Sequence, residues 1–316
     1  MAVGFWKLPE NLEVAIHAPE EILQLLSYRI VISRFQSDYI GRIVKLDWAE
    51  ADYKKYYDRY WQHHFTSEEI VWKENDSGWL FLGYGFFLTY SSRTDSALFF
   101  AIPDRLADVF TFSYPFLNLL IYLLKQRRYI SLHAAVIGIQ DRFVLIPGKQ
   151  NTGKSTTAAS WLLNGGQFVT DDFCFVQQEN PRVAHGFYPT LRLREQALAL
   201  VSNRLISSQL EQRGDSKYFF SLLTHRPDQF VAKVLLQSIF CLTIQSGRLS
   251  NTHVGPRTGF EYLLSSIAFS TQYRADSRLC LQVIKQLVRE IPILQISLSP
   301  NIDENYSYLK ELITSY

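Results

Sequence analysis

The alternation of apolar and polar positions changes character near residue 128. Before it, apolar residues come in short bursts rich in aromatic side chains. Between Trp48 and Phe100, 16 of 53 residues are aromatic, and bursts such as Trp79 to Leu82 and Phe86 to Tyr90 have the length and composition of strands. At this density most of the rings must fill a core, which leaves part of them available to line a groove for a peptide. The run Phe116 to Leu124 predicts a buried helix, too short to span a bilayer, with Lys125, Arg127 and Arg128 complementing its negative end. Tyr129 to Ile137 and Arg142 to Pro147 then read as two strands joined by a short turn. Further on, apolar periodicity predicts covering helices over Glu195 to Arg204, Phe260 to Phe269 and Ser277 to Arg289. The pattern predicts two domains, 1–128, β or α+β and aromatic-rich, and 129–316, α/β.

The second strand of that hairpin runs into Gly148-Lys149-Gln150-Asn151-Thr152-Gly153-Lys154-Ser155, a complete G-x-x-x-x-G-K-S/T phosphate loop. A helix from Lys154 to Leu163 follows, closed by Asn164-Gly165-Gly166, and Gln167 to Thr170 reads as a buried strand. Each part has an electrostatic task. Gly148 and Gly153 let the backbone wrap phosphates, the amides of Asn151, Thr152, Gly153, Ser155 and Thr156 face negative charge at a helix start, Lys154 reaches the terminal phosphates, and Ser155 offers a hydroxyl to magnesium.

Strand, helix and strand form a βαβ unit whose two strands run in the same direction, so Asp171 and Asp172, ending the second strand, face the loop that ends the first. They stand 17 residues after Lys154. Two carboxylates there can divide the work of phosphoryl transfer, one holding magnesium and one accepting the proton of an attacking hydroxyl. The sequence leaves that division open: both are catalytic candidates, and Ser155 and Asp171 form the candidate metal pair.

Composition removes whole classes of answer. With 32 basic and 30 acidic residues the net charge is +2, which supplies no broad footprint for nucleic acid or an anionic membrane. Cys174, Cys241 and Cys280 are odd in number and without C-x-x-C spacing, against both a disulfide framework and a structural zinc site. The opening residues Met1 to Pro9 lack the pattern of a secretory signal, and the expected compartment is cytoplasmic. His63 and His64, near Glu68 and Glu69, would point to opposite faces of a strand and make a poor metal pair. Motifs of α/β-hydrolases, zinc proteases, dinucleotide-binding enzymes and eukaryotic-type kinases are absent.

The arrangement LHAAV at 132–136, GKQNTGKST at 148–156 and NGGQFVTDD at 164–172 resembles the HPr kinase/phosphorylase superfamily. The similarity is greatest to its smaller HPr-kinase-like branch, found in bacterial gene clusters that include those for lasso peptides and other modified peptides. The resemblance is specific over residues 129–176 and thins afterwards. It implies a phosphate-loop core related to phosphoenolpyruvate carboxykinase that uses ATP and magnesium to phosphorylate a serine hydroxyl of a peptide or small protein. By this likeness His133 stands beside the aspartates, where an imidazole can orient a carboxylate or offset phosphate charge.

In Tyr188-Pro189-Thr190-Leu191-Arg192-Leu193-Arg194, which resembles a basic, apolar alternation of the branch, Arg192 and Arg194 share one strand face and can clamp phosphate oxygens. Lys217 and Arg257 are loop cations that can reach phosphate. The glutamate signature of HPr kinase has no evident equivalent, and Glu195 is the only nearby carboxylate. The alternatives are a kinase for a small-molecule alcohol and a nucleotide-gated interaction protein without transfer activity. Reversal of the reaction and homo-oligomer formation stay open.

Overall fold

The computed structural model describes residues 2–9, 11–27, 31–33, 42–48, 71–75, 78–83, 86–101, 114, 116–148, 152–201, 211–213, 217–245, 248–272 and 277–315. Asn151 of the phosphate loop and the group His63, His64, Glu68 and Glu69 lie outside them, as do the side chains of Trp79 to Leu82 and of Lys217. The chain divides into two compact units, Met1–Leu120 and Ile121–Tyr316.

The first unit is built on one eight-stranded sheet. Its strands are β1 (Ala2–Leu8), β2 (Leu12–Ala18), β3 (Ile32–Ser33), β4 (Arg42–Trp48), β5 (Val71–Asn75), β6 (Gly78–Gly83), β7 (Phe86–Ser91) and β8 (Ser96–Ala101), in the order β3-β1-β2-β4-β8-β7-β6-β5. Pairings β2 to β4 and β4 to β8 are parallel and the others antiparallel. The aromatic bursts are thus successive strands of a meander. Helix α1 (Glu20–Ser27) buries Ile22, Leu23 and Leu26, and the core includes Trp6, Val14, Ile16, Val44 and Leu46. Phe116 meets Phe99 edge to face at 5.1 Å, a geometry that suits the ring quadrupoles. Helix α2 (Leu117–Lys125) carries the boundary between the units.

The second unit is a mixed α/β structure organised by two long strands. The first, β9 (Tyr129–Ile139), turns through Gln140 and Asp141 into β10 (Arg142–Pro147). Both turn residues have positive φ, 50° and 64°, the twist that a two-residue hairpin requires. Helix α3 (Lys154–Leu163) leads to β11 (Gln167–Thr170), and after Asp171 and Asp172 the chain continues as β12 (Phe173–Gln177) and β13 (Val183–His185). A small antiparallel sheet holds β14 (Thr190–Arg194), β15 (Glu211–Arg213) and β16 (Lys217–Ser221) in the order β14-β16-β15, with α4 (Glu195–Val201) after β14 and α5 (Leu222–His225) after β16. The second long strand, β17 (Lys233–Ile244), is followed by β18 (Ser250–His253), α6 (Pro256–Gln272), α7 (Ser277–Glu290), β19 (Ile293–Leu298) and α8 (Ile302–Ser315).

Strands β10 and β11 run in the same direction, yet they do not pair. Each is antiparallel to β9, which lies between them. The first half of β9 pairs with β12 instead, Phe173 opposite His133. Strand β17 likewise serves β13 with its start, β10 with its middle and β19 with its end, so β10, β9, β12, β13 and β17 close a ring.

Alternation along these strands sorts side chains into two cores. Ile130, Leu132, Ala134 and Val136 of β9, with Phe143 and Leu145 of β10, face α6 and α7, joined by Cys174, Cys241 and Cys280. Ala135 and Ile137, with Val144 and Ile146, face α3 and α8. The three cysteines are free and buried. Helix α6 begins at Pro256 and places Arg257 in its first turn, 94% exposed and paired with Glu261 at 3.4 Å. The expected loop placement of Arg257 is therefore corrected to the first turn of a helix. Among the described residues no helix is long and apolar enough to cross a membrane.

Helix α3 is buried over most of its surface, at Thr157, Ala158, Ala159, Ser160, Trp161 and Leu162; its small residues permit close approach to the sheet. Trp161 fixes its roll, because its indole N–H donates to the Gly138 carbonyl at 2.8 Å while the ring is 1% exposed. Replacing Trp161 by Phe keeps most of the packing and orphans that carbonyl, for a loss of about 1–2 kcal/mol. A thermal melt of Trp161→Phe should show the midpoint lowered by roughly 2–6 °C; an unchanged midpoint would remove this bond from the account of helix placement.

Candidate active site

The β9 ladder decides where the chemistry meets. Pro147, the last residue of β10, lies opposite Ala134 on one side of β9. On the other side the Ala134 N–H donates to the Asp172 carbonyl at 3.1 Å. The phosphate loop and the paired aspartates are therefore separated by one strand's width, with His133 beside them.

The aspartate turn has its own local cause. Thr170, 1% exposed, turns its hydroxyl back to accept the N–H groups of Asp172 at 3.3 Å and Phe173 at 3.2 Å. That side-chain bond replaces ladder bonds over two residues and lets β11 pass into β12 with both carboxylates displayed.

The loop is held with equal definition at its described ends. Gly148 has φ 149°, and a Cβ there would meet the Thr152 Oγ1 at 2.8 Å. Its N–H donates to the Ser266 hydroxyl of α6 at 3.1 Å. Gly153, left-handed at φ 90°, caps α3 and takes the Thr157 N–H on its carbonyl at 2.8 Å. Such values favour glycine in both places. Lys154 is 5% exposed and donates from Nζ to the Gly148 carbonyl at 2.8 Å. Burial pulls its pKa below the usual lysine range, and the charges of Asp172 and Asp171 oppose that pull.

The two aspartates occupy different environments. Asp171 is 2% exposed; its Oδ2 accepts the Arg192 N–H at 3.0 Å and its buried Oδ1 has no hydrogen-bond partner. Burial, reinforced by the Asp172 charge, pushes its pKa up to about 7 against the opposing influence of Arg192 and the Ser155 hydroxyl. Asp172 looks into the pocket: its Oδ1 accepts the His133 Nε2–H at 2.6 Å, and its Oδ2 lies 3.5 Å from Arg192 Nη1. The Arg192 guanidinium also stands over the Phe219 ring, 5.2 Å from its centroid.

These groups line a pocket of about 290 Å³ with His133, Gly153, Lys154, Ser155, Thr156, Asp172, Arg192, Arg194, Gln196, Ala197, Leu200 and Ile244 on its walls. Of the residues expected from sequence, His133, Gly153, Lys154, Ser155, Thr156, Asp172 and both arginines come together here. Asp171, bonded with the Ser155 hydroxyl, is not part of that lining, and neither are Gly148 and Thr152. Lys217 pairs through its backbone with Arg194 across β14 and β16. Glu195 is exposed at the start of α4 and does not line the pocket. Sequence reasoning did not single out Ser266, Phe219, Gln196, Ala197, Leu200 or Ile244. Only the position of Ala197 and Leu200, just after the paired arginines, carried any signal.

A magnesium ion fits the Asp171 and Ser155 pair. A buried carboxylate oxygen without a partner is a site for a cation or a metal-bound water, and magnesium held also by phosphates needs one or two protein carboxylates. Among the described residues no cluster of three or more His, Cys, Asp or Glu side chains could hold a metal by itself.

No protein-family model matches the chain, and no curated protein matches it. Among solved structures, the Hpr(Ser) kinase/phosphatase from Coxiella burnetii is similar over 59% of this chain and 99% of that one, at 14% identity and a TM-score of 0.31.

The environment of Asp171 sets a measurable pH dependence. The folded chain keeps this proton up to about pH 7, whereas an unfolded aspartate releases it near about 3.9. Folding stability therefore falls as pH rises between those values. Asp171→Asn, which retains an acceptor for the Arg192 N–H, should melt several degrees above the parent at pH 8 and close to it at pH 4. Melting curves across that range check this; a variant less stable at pH 8 would show that the carboxylate is stabilised, not strained, by its surroundings.

Proposed function

We propose that the second unit is a phosphotransferase: it binds ATP with magnesium and transfers the γ-phosphoryl group to a hydroxyl, that of a serine on a peptide or small protein. The observation that carries the reading is Asp172, held by His133 at 2.6 Å and by Arg192 at 3.5 Å in the same pocket as Lys154 and Ser155. A protein that only binds nucleotide has use for a phosphate loop and a metal ligand. A second, hydrogen-bonded carboxylate facing the pocket has no task in it. The serine and peptide acceptor is supported by the motif resemblance of residues 129–176.

The division of labour follows from the environments. Asp171 and the Ser155 hydroxyl would hold magnesium, which when bound supplies positive charge to the β- and γ-phosphate oxygens. Lys154 and the amides at the start of α3 would face the same oxygens, and Arg192 and Arg194 line the same pocket. Asp172 is the base. The acceptor oxygen forms its bond to the γ-phosphorus as its proton passes to the Asp172 carboxylate, and the bond from phosphorus to the β-bridging oxygen breaks to release ADP. His133 keeps Asp172 oriented by donating to Oδ1.

Incubation with γ-labelled ATP, magnesium and a size-fractionated extract of the source cells tests the reading. Label should enter a peptide or protein fraction, fall by roughly three orders of magnitude or more in Asp172→Asn, and fall about 10- to 100-fold in His133→Ala. Nucleotide affinity of Asp172→Asn should stay within a few-fold of the parent. Label in a small metabolite would move the acceptor; label only in free phosphate, or none despite ATP binding, would end the phosphotransfer reading.

A second expectation concerns pH. If Asp171 held magnesium, proton and metal would compete for the same carboxylate, so magnesium affinity of the nucleotide complex should rise with pH below about 7 and level off above it. Calorimetric titration with a non-hydrolysable ATP analogue at pH 5.5 to 8.5 measures that slope. Pair-wise loss of it in Asp171→Asn identifies the group.

A further inference from the structure

The pocket has a second chemical character that phosphate chemistry does not use. Five large apolar side chains are exposed among the described residues, Val31, Leu200, Leu235, Ile244 and Leu264. Two of them, Leu200 at 54% and Ile244 at 56%, stand on this one pocket, supplied by different elements. Single exposed leucines are ordinary on a protein surface. Two that converge on a charged cleft beside a phosphate loop mark an apolar subsite.

Successive elements supply these residues. Arg192 touches Asp172, Arg194 follows two residues on, Gln196 and Ala197 come next, and Leu200 lies three residues further along α4. Ala197 and Leu200, three apart, lie on one helix face. Ile244, the last residue of β17, stands beside Gly153, where a Cβ would come within 2.9 Å of its Cδ1. The lining therefore combines charge, from Lys154, Asp172 and the two arginines, with aliphatic surface, from Ala197, Leu200 and Ile244.

Resting on the nucleotide reading above, we propose that Leu200 and Ile244, with Ala197, hold the base of the bound nucleoside triphosphate. A triphosphate anchored on Lys154 and the amides at the start of α3 occupies the charged part of the lining, and what projects from it is a sugar and then a flat ring whose faces are poorly hydrated. Covering those faces with two branched aliphatic side chains removes apolar surface of both partners from water. The site thus selects a nucleoside triphosphate over a bare polyphosphate.

The test compares affinities, by calorimetry with magnesium present, for ATP and for inorganic tripolyphosphate in the parent, Leu200→Ala, Ile244→Ala and Lys154→Ala. The parent should bind ATP at least tenfold more tightly than tripolyphosphate. Each aliphatic truncation should weaken ATP roughly five- to tenfold and leave tripolyphosphate unchanged, while Lys154→Ala should weaken both. Both side chains are more than half exposed, so truncation spares the core, and the parent's own ratio needs no variant. Equal parental affinities, unchanged ATP affinity in the truncations, or a parallel loss of both ligands would overturn the base subsite while leaving the phosphate site standing. A parent that binds neither ligand would overturn the nucleotide reading beneath it.

Discussion

The site depends on the hydrogen bonds of β9. This strand is clasped by β10 on one side and by β11 and β12 on the other, and its residues His133 and Ala134 are the point at which the end of the phosphate strand and the aspartate turn are both in register. Ladder bonds set strand spacing at about 4.8 Å, so the distance between the loop and the carboxylates is fixed by backbone geometry and not by side-chain choice. The long strands spread that definition outward. Because β9 and β17 each serve more than one partner, the ring of β10, β9, β12, β13 and β17 has no free edge at the site.

Within that frame the electrostatics are arranged as a gradient of burial. Asp171, almost wholly enclosed, is held near neutrality in both senses, while Asp172, one residue on, keeps contact with the pocket and with two donors. Adjacent residues leaving a strand diverge, and the Thr170 hydroxyl makes that divergence possible by taking over the N–H groups that the ladder gives up. Environment separates two carboxylates that are chemically the same, which is the usual way that acid, base and ligand roles are distinguished. Lys154 sits between them electrostatically. Desolvation weakens its hold on a proton and the aspartates strengthen it, so its state follows the charge of the pair.

Much of this was legible in the residues themselves. The phosphate loop demands a strand before it and a helix after it, and both are written in the apolar pattern around 143–163. The parallel course of β10 and β11 followed from the short helical connection; that β9 intervenes between them did not, because a hairpin and a crossover leave the same periodicity whether or not their strands are neighbours. Arg192 and Arg194 share a face by strand alternation alone. The 2.6 Å contact of His133 with Asp172 is a register fact, set by Phe173 standing opposite His133, and no local pattern encodes it. Leu200 falls within a predicted covering helix and Ile244 carries no signal of its own, since exposure is a property of the assembled unit. Arg257 was misplaced because Gly255 and Pro256 suggest a loop as readily as a helix start, where proline is equally at home.

The two-sided core has a practical corollary. Cys174, Cys241 and Cys280 all belong to the cluster under α6 and α7, and the opposite cluster under α3 and α8 contains no thiol. Burial raises Cys174 and Cys241 to pKa values of about 12, far from the reactive thiolate. The chain therefore carries a built-in reporter of one face only: alkylation clocks the opening of the layer under α6 and α7, and any loosening confined to the layer under α3 and α8 passes unlabelled.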